Sequence, residues 1–340
     1  MGGCDVDRKI VSKALQFASQ GLTEDRLVGL PHEQALVSGY SNQPNFVGSA
    51  EMAPSVDVNF ESGEWREYGA DGLQLIDSIE QPIGTDRKSV DVEVGKDSYR
   101  TAKVGLEAYI YDEEQEAEDY DKIKERKLQR IGTGIQLYAE YLVSKIAQNS
   151  ANFDAGFKAV FTTSTSRWTD YVNSDPSADI RIGLLALEDV HEVDRPDFVV
   201  ALPMDVWNVV SAHPKLQMVT ASGQKLPPTL AFLAQIWNVK EVKLLYGKYS
   251  VNVGDKKDPR NWRFKRLWTN CFVIYRPITT PNPDAPLWMA RPHRKGFPRV
   301  LPPQRDWKKD ADCYGTTDKF GVVLRAKNRA YLGDKVISAT

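Results

Sequence analysis

The 340-residue sequence predicts an α+β chain in several parts, and three stretches carry that prediction. From Glu116 to Asn149, Ile123, Leu128, Ile131, Ile135, Tyr138, Leu142 and Ile146 recur nearly throughout at steps of three or four, the spacing of one buried helical stripe. Between Ser55 and Tyr111 the period changes to two. Val56, Val58 and Phe60, and later Val90, Val92 and Val94, alternate with polar residues as half-buried strands do. From about residue 166 to 288, short apolar runs alternate with amphipathic segments, the pattern of a compact α/β domain.

Taken in order, residues 1–55 open with a short amphipathic segment (Ile10, Val11, Leu15, Phe17). They continue through Gly29, Pro31, Gly39, Pro44, Gly48 and Pro54 without periodicity, so they read as an arm that orders only against another subunit. The period-two stretch from Ser55 to about Tyr111 reads as a long two-stranded excursion with its tip near Gln81 to Lys88. A lone hairpin is marginal in water, so Val90, Val92 and Val94, with Leu73 and Leu75 as cross-strand partners, are expected to bury against a neighbouring subunit. The helix that follows would be roughly 50 Å long, with Asp112, Glu113, Glu114, Glu116, Glu118 and Asp119 at its start and Lys145 in its last turn, as the helix dipole favours. Gly132 and Gly134 interrupt it at a cost of about 1 kcal/mol each; a bend or a close backbone approach is their expected use.

Beyond the helix, Phe153 to Thr163 reads as a strand. Ser174-Asp175-Pro176 supplies a capping side chain followed by proline, the start of a helix to Val190 that buries Ile180, Leu184, Leu185 and Leu187. Strand Asp197 to Leu202, helix Met204 to His213, helix Thr229 to Val239 and strands Glu241 to Tyr246 and Leu267 to Tyr275 complete the α/β domain. Residues 277–303 hold eight prolines, which are expected to exclude helix and central strand and to form an extended crossing back to the first domain. Strands Phe320 to Arg325 and Asp334 to Ile337 close the chain.

Composition narrows the function. A formal net charge of −2 gives no global basic field for nucleic acid or acidic membranes. No apolar run approaches a membrane span, and the polar N-terminus lacks a signal peptide's apolar region, which predicts intracellular synthesis. Cys4, Cys271 and Cys313 are odd in number and widely spaced, hence expected to be free thiols. Phosphate-loop, dinucleotide, zinc-helix and nucleophile-elbow motifs are absent, so no cofactor or metal is expected. Four weaker features have structural explanations. Gly132-Thr133-Gly134 lies in a helical pattern, away from any strand-to-helix turn. Glu188, Asp189, His191, Glu192 and Asp194 fit a solvated helix end better than a metal site. Cys271, a conceivable partner for His213, lies within an apolar strand. Arg260, Arg263, Lys265 and Arg266, and Arg291, His293, Arg294, Lys295 and Arg299, interleave with Trp262, Phe264 and Phe297; such mixtures serve single-stranded nucleic acid or protein interfaces, and the interface is favoured.

The order of parts and several phrases resemble the major capsid protein of tailed bacteriophages, whose shell fold also forms the floor of herpesvirus capsids. SRWTDYVNSDPSADIRIGLLAL (Ser166 to Leu187), DFVVALPMDVWNVVSAHPKLQ (Asp197 to Gln217) and TLAFLAQIWNVKEVKL (Thr229 to Leu244) are similar to the family's tryptophan, Ser-Asp-Pro, strand, helix and His-Pro passages. The resemblance covers roughly residues 55 to 290 and implies an L-shaped subunit. Its parts would be an N-terminal arm (1–55), an extended loop (56–105), a peripheral domain with the spine helix (106–165 plus 289–340) and an axial domain (166–288). It further implies a non-enzymatic subunit that forms hexamers and pentamers of an icosahedral shell around double-stranded DNA. DNA would be held without sequence preference, and scaffolding, cement and portal proteins are possible partners. Alternatives are another virion or assembly protein, or an α/β enzyme with its site in 166–288. Lys88, Lys96 and Lys103 lie in the loop region, but no motif marks any of them for the subunit cross-linking of some family members.

Overall fold

The structure is a computed structural model and describes residues 46–68, 94–116, 119–191, 195–219, 223–252, 261–278 and 287–338. One turn of π-helix, Gly48–Met52, leads into β1 (Ser55–Val58), and β2 (Ser62–Tyr68) and β3 (Val94–Arg100) pair as an antiparallel ribbon. β4 (Ala102–Tyr111) runs into the single turn α1 (Asp112–Gln115), whose Glu114 carboxylate accepts the Tyr111 N–H at 3.0 Å. The long helix α2 (Tyr120–Ala147) has 28 residues, about 42 Å of rise. Next come β5 (Lys158–Val160) and α3 (Pro176–Glu188), whose first turn is capped by Asp175 accepting the Ser177 and Ala178 N–H groups. β6 (Val199–Pro203), α4 (Met204–Ala212), β7 (Met218–Val219), β8 (Lys225–Leu226), α5 (Leu230–Trp237) and β9 (Glu241–Leu245) follow. A second ribbon pairs β10 (Lys248–Asn252) with β11 (Trp262–Arg266). The remaining strands are β12 (Cys271–Tyr275), β13 (Met289–Arg294), β14 (Arg299–Asp306), β15 (Ala311–Phe320), β16 (Val323–Leu324) and β17 (Ala330–Asp334).

The chain divides into two compact units, and the division falls within α2 between Ile135 and Gln136. In the first unit (described residues from 103–135 and 296–318), β15 pairs with β4 and β14. The first half of α2 buries Leu128, Ile131 and Ile135 there. Arg305 grips Asp112 through two 2.5 Å hydrogen bonds, and this bonding holds the carboxyl below its usual range. At Gly134 an added Cβ would stand 2.6 Å from Leu106 Cδ1, so this glycine lets the Leu106 side chain lie against the helix. The helix is unbroken through Gly132 and Gly134.

The second unit is built on a five-stranded sheet in the order β5-β17-β12-β6-β9, with β6 and β9 parallel and β12 antiparallel to both of its neighbours. β6 and β12 are buried on both faces, so DFVVAL reads as a continuous apolar run. One face, with Val200, Leu202, Phe272 and Ile274, packs on α3, α4 and α5 through Ile180, Leu184, Leu187, Val206, Val210, Leu233 and Trp237. The other, with Val199, Ala201, Val273 and Tyr275, meets Met52, Ala53, Val143, Ala147 and Trp268.

Several expectations change. Residues 46–54, expected at the end of an unsupported arm, belong to this core: Phe46, Ser49, Met52 and Ala53 are buried. In its second half the buried stripe of α2 advances by fours through Ala139, Val143 and Ala147, with Val143 and Ala147 in the core of the second unit, and Tyr138 is left exposed. Asp112–Gln115 form their own turn, and α2, at Tyr120–Ala147, is shorter than 116–149. Only Lys158–Val160 of the expected 153–163 strand pairs, after two 3-10 turns. Leu185 faces outward. Strand β17 lies earlier than Asp334 to Ile337 and joins the sheet expected to be built from 166–288 alone.

The proline-rich segment is the clearest correction, because it contains β13 and β14. Arg291 N–H donates to Pro54 O and Lys295 N–H to Val58 O, so the odd residues of β13 face β1. The absent N–H of Pro292 therefore points to the other side. There β13 changes neighbour, from Val323 and Leu324 to Phe320, and no ladder bond is forfeited. Pro302 and Pro303 fall in a register shift where Leu301 faces Gly315 but Gln304 faces Cys313. Prolines at such breaks are compatible with a sheet.

Candidate assembly surfaces

The β2/β3 ribbon is rooted in its own chain. Trp65 (5% exposed) stacks on Tyr99 with ring centroids 4.7 Å apart, and both pack with Val56, Val58, Leu287 and Ala290. The Arg325 guanidinium lies over the Trp65 ring at 5.2 Å and approaches Asp97 of β3 at 3.7 Å. Glu61, just ahead of β2, accepts hydrogen bonds from Lys319 and from Arg294 (2.5 Å), and these hold its carboxyl below the usual range. Among the residues expected at an intersubunit contact, Val94 opens β3 opposite Tyr68. Leu73, Leu75, Val90 and Val92 lie outside the described residues.

The β10/β11 ribbon is a different surface. Its register puts Trp262, Phe264 and Arg266 on one face with Lys248, Ser250 and Asn252. The opposite face turns Tyr249 towards the core cluster beneath the sheet. Phe264 is 74% exposed and Trp262 38%, while the two strands carry Lys248, Arg263, Lys265 and Arg266 and no acid. The basic-aromatic mixture seen in the sequence is thus displayed outward here. Around 291–299 it is partly absorbed: Arg294 binds Glu61, and Arg299 stacks on Phe297 at 4.7 Å.

A third feature, missed in the sequence, roots the N-terminal segment. Glu140, 1% exposed on α2, accepts the N–H groups of Gly48 (3.2 Å) and Ser49 (2.6 Å) and the indole N–H of Trp268 (2.7 Å). A Cβ at Gly48 would stand 2.7 Å from the carboxylate, so glycine permits the approach. Burial pushes the Glu140 carboxyl up, against the pull of these donors. One turn away, Glu51 pairs with Lys243 and accepts the Tyr275 hydroxyl at 3.0 Å. A carboxylate beside the apolar stripe of α2 was the available signal.

The candidates for chemistry have structural partners. Glu188 pairs with Arg195 at 2.6 Å; His191 packs on Phe198 and meets the Arg329 carbonyl at 3.2 Å, and burial lowers it to about 4. Glu192 and Asp194 lie outside the described residues. Cys271 is buried in β12, where burial pushes its thiol up. His213 serves another neighbour: its Nδ1 accepts the Lys215 N–H, which leaves Nε2–H to donate to Ser174 Oγ at 3.1 Å. The Ser-Asp-Pro and His-Pro passages therefore meet in one buried junction, and burial lowers the His213 value.

No family model matches the sequence. The chain is 24% identical over 302 residues to the major capsid protein of Burkholderia phage BcepMu, covering 87% of this chain and 93% of that protein. Its structure is similar to a phage-related protein of Bordetella bronchiseptica RB50, with TM-score 0.69, 20% identity and coverage of 90% and 96% of the two chains. It is also similar to the capsid structure of cyanophage P-SCSP1u, with TM-score 0.51, 8% identity and coverage of 84% and 86%. Such identities leave the structural matches to speak for the path of the backbone. Together with the sequence relative, they make this chain a relative of phage major capsid proteins, folded as phage shell subunits are.

Proposed function

We propose that this chain is the major capsid protein of a tailed phage, a structural subunit that assembles with itself into hexamers and pentamers of an icosahedral head. The relation to a phage major capsid protein along 302 residues is the observation that carries this reading. In it, residues 1–55 are the arm, anchored through 46–54 in the core of the second unit, 56–105 the extended loop, 106–165 with 289–340 the peripheral domain, and 166–288 the axial domain, whose sheet also takes in β5 and β17. The shell encloses double-stranded DNA, held by scattered lysines and arginines against phosphate, and portal, scaffolding or cement proteins join it in the virion. No catalysis is assigned to the chain.

Sedimentation and negative-stain microscopy of the purified chain test the proposal, with closed shells as the expected result. Discrete particles of a few subunits, under all conditions of salt and crowding, would overturn it. Retention of one duplex sequence over others at about 0.5 M salt, where the Debye length is only a few Å, would overturn the DNA part alone.

A further inference from the structure

Helix α3 presents two apolar faces where packing within the unit uses one. Ile180, Leu184 and Leu187 face the sheet, while Ile182 (58% exposed) and Leu185 (49%), one turn apart, face solvent. The stretch Asp175 to Asp189 carries Asp175, Asp179, Glu188 and Asp189 against the single base Arg181; Asp179 is taken up by the Trp168 indole, Asp175 by the helix N–H groups and Glu188 by Arg195, which leaves Asp189 and the open side of Asp175 and Glu188 to a partner. The β10/β11 ribbon is its converse, aromatic where α3 is aliphatic and basic where α3 is acidic. Ribbon against ribbon would oppose like charges, and so would helix against helix; ribbon against helix joins opposite ones.

Resting on the capsid reading above, we infer that the β10/β11 ribbon of one copy docks on the outer face of α3 of a second copy, with Trp262 and Phe264 covering Ile182 and Leu185. Lys248 and Arg266, opposite each other at one end of the same ribbon face, meet the acids at one end of the helix. Because the two patches differ, the contact is head-to-tail. Repeated by rotation it closes into a ring, and without closure it propagates. A single strand of nucleic acid, the other occupant that an aromatic-basic ribbon suits, leaves the α3 face unexplained.

The test uses the full chain with Phe264→Cys, Ile182→Cys and both together, treated with a short bismaleimide under assembly conditions. Both positions are exposed, and the single variants report the background from the native cysteines. The inference expects a ladder of crosslinked multimers from the double variant, no ladder from either single variant, and dimers when the two singles are mixed. Dimers from F264C alone would overturn it in favour of ribbon-on-ribbon pairing. Shells that form without any crosslink would overturn it and leave the capsid reading standing, whereas a chain that stays monomeric throughout overturns both. Protection of F264C from maleimide by a short single-stranded oligonucleotide, with no ladder from the double variant, would reassign the ribbon to nucleic acid.

Discussion

Two antiparallel ribbons belong to the second unit, both carrying aromatic and basic residues, and they differ in what their aromatics touch. In β2/β3, Trp65 and Tyr99 stack on each other and close over Val56, Val58, Leu287 and Ala290, with Arg325 above the indole. In β10/β11, Trp262 and Phe264 face solvent. Strand propensity is similar in the two, so it does not decide whether a ribbon is part of the fold. The deciding term is the apolar surface that the rest of the chain offers: each aromatic can bury some 150–250 Å² where such a surface exists. Among the described residues no such surface meets the β10/β11 aromatics, and Trp262 and Phe264 stay outward.

The contrast can be broken by substitution. Trp65→Ala has the largest expected effect, a loss of about 3–5 kcal/mol of stability from cavity and transfer terms together, read as a lower urea midpoint. A loss below about 1 kcal/mol would mean that the β2/β3 ribbon is as weakly rooted as the other. Arg325→Met comes next. It removes the cation over Trp65 and the group nearest Asp97, and a loss of about 1–3 kcal/mol is expected from the carboxylate left behind. Adding Asp97→Asn should recover part of it, and additive losses would show that the two side chains are not coupled. Phe264→Ser should leave subunit unfolding within about 0.5 kcal/mol of wild type while reducing the yield of particles in sedimentation. Unchanged yield would leave that ribbon without an assembly role. Reducing agent should have the smallest effect, none on particle integrity at neutral pH, since Cys271 and Cys313 are free thiols.

Much of the fold was readable because its signals are local. Asp175 caps α3 and Thr229 caps α5 at the positions their sequence contexts predict, and the apolar run of β6 marks a strand buried on both faces. What escaped depends on partners distant in sequence. Whether Pro292 can sit in a strand is decided by where Phe320 gives way to Val323, and whether Pro302 and Pro303 can is decided by a bulge opposite β15. The two ribbons looked alike because nothing near Trp65 announces Leu287, 222 positions away, as part of its cover. Glu140 was overlooked for the same reason, since its donors lie 91, 92 and 128 positions off.

The Glu140 junction couples the N-terminal root of the subunit to acidity. Its carboxyl is raised from an ordinary value of 4.5 by burial, so between 4.5 and the raised value the folded chain holds a proton that the unfolded chain releases. The stabilisation from this group is complete below 4.5 and fades as pH rises through the folded value. The groups bonded to the carboxyl are the Gly48 and Ser49 N–H groups and the Trp268 indole, all donors, so burial and not a neighbouring charge is what raises it. Relative to wild type, Glu140→Gln should therefore gain stability as pH rises above 4.5, measured as the difference between two unfolding free energies at each pH. A constant difference would detach the root from protonation. Where the difference does change, Gly48–Met52 is held by a joint that tightens on acidification, so the firmness of this anchorage is set by the surrounding pH.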